Sequence, residues 1–120
     1  MMALSESATK QLEALHQRYR ESLPTKVTDI SDIADGAKKE NYPADKLKEL
    51  HILVHNLAGS AAMHGFNDVA STARLLDKHL RDTEGIDTTD AEWQALLNEK
   101  FSCLTDSILA VTDEEGSISS

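Results

Sequence analysis

Aromatic side chains are scarce in this chain: two Phe, two Tyr and one Trp among 120 residues, or 4%. Strand-type alternation of apolar and polar residues is missing as well, and together these exclude a sheet-built fold. A single cysteine, Cys103, excludes an internal disulfide and fits a reducing compartment. Its neighbours Phe101, Leu104 and Ile108 suggest a small buried hydrophobe. No apolar run is long enough to span a bilayer, and no basic-then-apolar leader precedes the first helix. Membrane insertion and export are therefore not expected, and the cytoplasm is the expected location. Basic residues are outnumbered 12 to 21, for a formal net charge of −9. With no Lys/Arg cluster to form a basic face, nucleic acid and anionic membrane surfaces are excluded as partners.

What is present is helical periodicity. A first helix is predicted from about Ser5 to Ser22, with Leu12, Leu15 and Tyr19 on one face, ending before Pro24 because proline disfavours helix in the preceding residue. Pro24 can then open a second helix, striped by Val27, Ile30, Ile33 and Ala34, to about Lys39. Asn41-Tyr42-Pro43 is a short connection. The third helix runs from about Ala44 to His64, with the seam Leu47, Leu50, Val54, Leu57 and Ala61. Gly65 is placed to close it in the left-handed conformation, with Phe66 as the accompanying apolar contact. Asn67 is suited to cap the fourth helix, to about Asp82, with Val69, Ala73, Leu76 and Leu80 inward.

A loop from Thr83 to Thr88 precedes Thr89-Asp90-Ala91-Glu92, a capping-box sequence. The fifth helix then carries Trp93, Leu96, Leu97, Phe101, Leu104, Ile108 and Val111 on its core face. Short connections between long helices imply antiparallel neighbours. The expected fold is all-α: an up-and-down antiparallel four-helix bundle with an additional N-terminal helix, over residues 5–112. The acidic, serine-rich residues 113–120 read as a disordered tail or linker.

One histidine departs from this pattern. His55 lies roughly 120° around the third helix from the centre of the apolar stripe, on its exposed flank. Lys48, His51, Ile52, Gly59 and Ala62 fall within about 60° of its azimuth. Ile52 and Met63 lie almost opposite the core. Two large apolar side chains facing solvent beside an exposed histidine suggest a docking surface made by Ile52, Ala62 and Met63. A neutral imidazole is a good nucleophile toward phosphorus, and phosphoryl transfer asks mainly for clearance and positioning. Gly59, one turn after His55, gives clearance at a cost of about 1 kcal/mol relative to alanine in a helix.

The segment His55-Asn56-Leu57-Ala58-Gly59-Ser60-Ala61-Ala62-Met63-His64-Gly65-Phe66 resembles the phosphorylation site of histidine phosphotransfer (HPt) domains, with their His-x-Leu-Lys-Gly-Ser/Ala core and Gly-Phe helix end. Tyr19 with Leu23-Pro24 resembles the family's Tyr…Leu-Pro stretch, and Ala73-Arg74-Leu75-Leu76-Asp77 its Ala-Arg-x-Leu-Glu stretch. The resemblance covers about residues 12 to 110. It implies that His55 accepts a phosphoryl group from the aspartyl phosphate of a response-regulator receiver domain and passes it on. A hybrid sensor histidine kinase is among the partners it implies. It further implies no autokinase activity and no cofactor of the chain's own, the Mg²⁺ coming from the receiver. A monomer is expected.

One departure from the family stands out: Ala58 occupies the position where lysine usually meets the phosphoryl oxygens. Lys48 and Arg81 are candidate replacements, and Asp77 stands where the family often has Gln or Glu. Two other readings compete. The chain is then either a phosphorylation-incompetent adaptor that only binds receivers, or a bundle holding a metal through His51 and His55 at i, i+4. The second lacks the glutamate of a zinc-hydrolase motif, and no cysteine or tight carboxylate set completes the shell, so no metal site is expected.

Overall fold

The computed structural model describes residues 6–82 and 85–119; the expected helix start at Ser5, the loop residue Thr83 and the final Ser120 lie outside the described residues. Four helices follow one another: α1 (Glu6–Lys39), α2 (Ala44–Met63), α3 (Asn67–Arg81) and α4 (Ala91–Ser119). Each packs on its neighbour in sequence, and α1 closes the bundle against α4. Among the described residues, no helix is long and apolar enough to cross a membrane.

The seam of α2 packs as its spacing predicts: Leu47, Leu50, Val54, Leu57 and Ala61 are all buried. Opposite them lie Leu23 and Ile30 of α1, Val69, Ala73, Leu76 and Leu80 of α3, and Trp93, Leu97, Leu104 and Ile108 of α4. Burying each large aliphatic side chain contributes roughly 1.5–3 kcal/mol.

Helix α1 does not break at Pro24; the additional N-terminal helix is continuous with the first bundle helix. An interior proline costs about 3 kcal/mol. Tyr19, Leu23 and Ile30 are buried on both sides of it, and together they outweigh that cost. Pro24 itself is exposed, and the Ser22 and Thr28 hydroxyls donate back to the Tyr19 and Pro24 carbonyls at 2.6 and 2.9 Å. Leu12 and Leu15, expected on an inward face, are exposed, because α1 runs on past the end of α2 near His16.

The connections follow local chemistry. Asn41 and Tyr42 adopt positive φ, and the Tyr42 amide donates to the Ala37 carbonyl at 2.7 Å. A left-handed non-glycine residue costs roughly 1–2 kcal/mol. Burial of the Tyr42 ring, edge-on to Trp93, opposes that cost. Gly65 has φ +81°, as expected of a C′ glycine, and its amide and that of Phe66 bond the Ala62 and Ala61 carbonyls. That closure also displaces the expected cap of α3. Phe66, not Asn67, occupies the cap position, and the helix already starts at Asn67.

At α4 the cap moves by one residue from the capping-box reading. The Asp90 carboxylate accepts from the Glu92 and Trp93 amides at 2.7 and 3.3 Å, while Thr89 bonds back to Asp87. On that helix Leu96 and Cys103 are exposed and Phe101 is half-buried, because the contact stripe narrows to Trp93, Leu97, Leu104 and Ile108. Helix α4 continues to Ser119, past the end expected near Val111. Once a helix is nucleated, each further residue adds a hydrogen bond at little cost.

Candidate functional site

On α2, His51 and His55 stand one turn apart with ring centroids 5.8 Å from each other. His51, nearer the seam, is half-buried, and His55 has a side chain 67% exposed. Helix α3, packed alongside, brings the buried Asp77 between them. The Asp77 Oδ2 atom lies 3.3 Å from His55 Nδ1, and Oδ1 lies 2.8 Å from His51 Nε2. The second approach is out of line for an N–H···O hydrogen bond, and neither atom has another hydrogen-bond partner. Arg81, one turn on from Asp77, brings its Nε to 3.7 Å from Oδ2.

The contact to Asp77 orients the His55 ring. With Nδ1–H donating to the carboxylate, Nε2 becomes the nitrogen with the free lone pair. The described residues offer His55 no other hydrogen bond. Beside it a cavity of about 600 Å³ is lined by His55, Ala58, Gly59, Ser71, Arg74, Leu75, Asp77, Lys78 and Arg81. A Cβ built on Gly59 would meet nothing within 4 Å, so close helix packing does not require this glycine.

Of the residues singled out from the sequence, His55, Ala58, Gly59, Asp77 and Arg81 meet at this cavity. Lys48 does not line it; with His51, Leu80 and Arg81 it lines the adjoining cavity beneath Tyr42. Ile52 and Met63 are exposed and Ala62 is half-buried. Ile52 lies on the side of His55 that faces α1, at the lip of a cavity formed with Asp29, Asp32 and Ile33.

Ala58, at the position of the family's usual lysine, is 5% exposed and turned toward α3. Three residues were missed. Arg74 and Lys78 line the cavity beside His55, and Leu75 presents an exposed apolar side chain there. Positions 74, 78 and 81 follow the 4-3 spacing that makes one helical face, so the basic stripe was readable from the sequence.

The other histidines serve different ends. His16 Nδ1 meets His64 Nδ1 at 2.9 Å, and His64 stacks on Tyr19 with ring centroids 4.3 Å apart. Tyr19 in turn hydrogen-bonds the Ser60 hydroxyl at 2.6 Å. Burial holds its phenol pKa above the usual value, an effect the Ser60 bond partly opposes. His79 stacks on Trp93.

Compared with known proteins, residues 4–109 match the family model of the Hpt domain. No curated protein and no solved structure gives a match.

Proposed function

Because this chain belongs to the Hpt domain family, whose members are histidine phosphotransfer intermediates of two-component signalling, we propose that His55 is its phosphoryl acceptor. The observation that carries this reading is the exposed imidazole whose Nδ1 faces buried Asp77, leaving Nε2 free toward solvent. In the proposed step, Nε2 of His55 attacks the phosphorus of a receiver's aspartyl phosphate. The P–O bond to the aspartate breaks as the N–P bond forms, and the carboxylate leaves. Asp77 holds the ring and stabilises the positive charge that develops on it. This is a positioning and electrostatic role, as in other carboxylate–histidine pairs.

Arg74, Lys78 and Arg81 stand in for the lysine that Ala58 replaces. Their charges surround the cavity in which the new phosphoryl oxygens would lie, and they offset the repulsion from Asp77. Gly59 leaves room for the receiver's approach. Ile52, Ala62 and Met63, joined by Leu75, give the receiver an apolar surface to dock on.

On this reading the chain relays between receiver domains, one of them carried by a hybrid sensor kinase. It takes Mg²⁺ chemistry from the receiver and has no autokinase activity. It works as a cytoplasmic monomer, with residues 5–112 as the working domain and 113–120 as a tail or linker. The test is incubation with a phosphorylated receiver and detection of acid-labile label on the chain. Wild type should take label, and His55→Gln should stay at background with its helix content intact. Label on His55→Gln at the wild-type level would overturn the assignment.

A further inference from the structure

The same cluster has a second chemical capacity. His51 and His55 project from consecutive turns of α2, and α3 supplies the third ligand that the sequence of α2 lacks. One potential ligand atom from each of His51, His55 and Asp77 lies within 4.8 Å of the other two. Around a Zn²⁺ ion with bonds of about 2.0–2.2 Å, tetrahedral ligand atoms sit roughly 3.3 Å apart. The 2.8 Å approach of His51 is to Oδ1 and the 3.3 Å approach of His55 is to Oδ2, so the ion draws the three groups together by side-chain rotation, over at most about 1.5 Å for the widest pair.

An independent sign of a ligand is the pair of buried polar atoms His51 Nε2 and Asp77 Oδ1. They face each other with no in-line hydrogen bond to satisfy either. A cation between them would satisfy both. Two imidazoles and one carboxylate form a donor set suited to Zn²⁺ and unsuited to Ca²⁺ or Mg²⁺, which take oxygen ligands. Arg81, 3.7 Å from Asp77 Oδ2, is the competing cation and has to swing away.

We propose that His51, His55 and Asp77 form a Zn²⁺ site that bridges α2 and α3, and that its occupation silences His55 as a phosphoryl acceptor. The first half stands on the cluster alone; the second rests on the reading of His55 given above. The antagonism follows from the tautomer. A neutral imidazole that gives the Nδ1 lone pair to a metal carries its single proton on Nε2. The proton released from Nδ1 goes to solvent, and solvent returns one to Nε2. The nitrogen that would attack phosphorus then has no lone pair to offer.

Titration calorimetry of the full chain with Zn²⁺, and visible absorption with Co²⁺ as the spectroscopic substitute, test the site without any phosphoryl chemistry. One ion per chain should bind. His51→Gln, His55→Gln and Asp77→Asn should each weaken binding at least about tenfold, and His64→Gln should leave it unchanged. The exposed His55 makes its variant safe for the fold, so loss of binding there cannot be assigned to unfolding. No saturable binding, or binding lost only in His64→Gln, would overturn the site and leave the phosphotransfer reading standing. For the coupling, label uptake from a phosphorylated receiver is compared with and without saturating Zn²⁺. Each protein is measured against its own zinc-free rate. Uptake should fall at least about tenfold in wild type and resist zinc in His51→Gln. Equal sensitivity in the two proteins would overturn the coupling.

Discussion

Two histidine pairs border α2, one at its middle and one at its C-terminal end, and they have different surroundings. At one, His51 and His55 bracket a carboxylate beside an open cavity. At the other, His16 and His64 meet nitrogen to nitrogen, packed on Tyr19 at the end of the helix. The residue type is the same, but the first pair shares α2 whereas the second joins His16 of α1 to His64, the residue that caps α2. The first pair has an acceptor that fixes a tautomer and leaves one nitrogen free, whereas the second has a ring to stack on and a partner that consumes a lone pair. The comparison teaches that a histidine's chemistry is set by what stands on its other nitrogen. The second pair ties the N-terminal stretch of α1 to the end of α2, and the first is equipped to react.

The contrast is broken most severely at the structural end. Tyr19→Ala removes the ring under His64 and the bond to Ser60, and should cost about 3–5 kcal/mol in denaturant unfolding. Tyr19→Phe should cost only about 1 kcal/mol, the value of the Ser60 hydrogen bond. Tyr19→Phe should still take label, since no reacting group is touched. The pH dependence has a definite sign. The folded pKa of Tyr19 is raised above its unfolded value of 10.0, so its contribution is complete below that pH. It is lost as pH rises through the folded pKa, because the unfolded phenol ionises first. Tyr19→Phe should flatten that alkaline loss. An identical alkaline profile in both proteins would show that Tyr19 is not the group responsible.

At the reactive end, the effects fall on binding. Ile52→Glu and Met63→Glu should each weaken receiver affinity by about 1–2 kcal/mol, because a charge is desolvated in an apolar contact. Unfolding midpoints should hardly move, since both side chains are exposed. Unchanged affinity in both variants would place the receiver elsewhere.

A smaller effect is expected from Ala58→Lys. The new amine, threading along the cavity wall, should stabilise the phosphorylated state by on the order of 1 kcal/mol, read as a longer phosphohistidine lifetime. Because Ala58 is buried against α3, the unphosphorylated fold should lose some stability, less than about 1 kcal/mol. If Arg74, Lys78 and Arg81 already saturate the need for charge, neutralising them one at a time will shorten the lifetime instead. No response to any of these changes would remove cation support from the account.

The smallest effect is Gly59→Ala. Its Cβ meets nothing, so the fold should gain up to about 1 kcal/mol from helix propensity. Receiver binding should fall slightly. A gain in stability with faster transfer would show that the clearance has no use.

How far the sequence revealed this depended on whether the information was local. The α2 seam, the Gly65 closure and the exposure of His55 follow from positions on a single helix. The break expected at Pro24 was a local rule overruled by burial of Tyr19, Leu23 and Ile30 on both sides. Cys103 and Leu96 were misplaced because neighbouring apolar residues do not fix how wide a contact stripe is. The Asp77 carboxylate was anticipated near the site only through family resemblance. Its position between two imidazoles depends on how α3 is rotated against α2, which no single-helix pattern encodes. Arg74 and Lys78 were legible as a stripe with Arg81.

The measurement that bears most directly on the central claim is ¹⁵N NMR of the phosphorylated chain with labelled histidines. The account predicts one phosphoryl group, bonded to Nε2 of His55, with the proton on Nδ1 held toward Asp77. A phosphoryl group on Nδ1 of His55, or on His51 or His64, would contradict it.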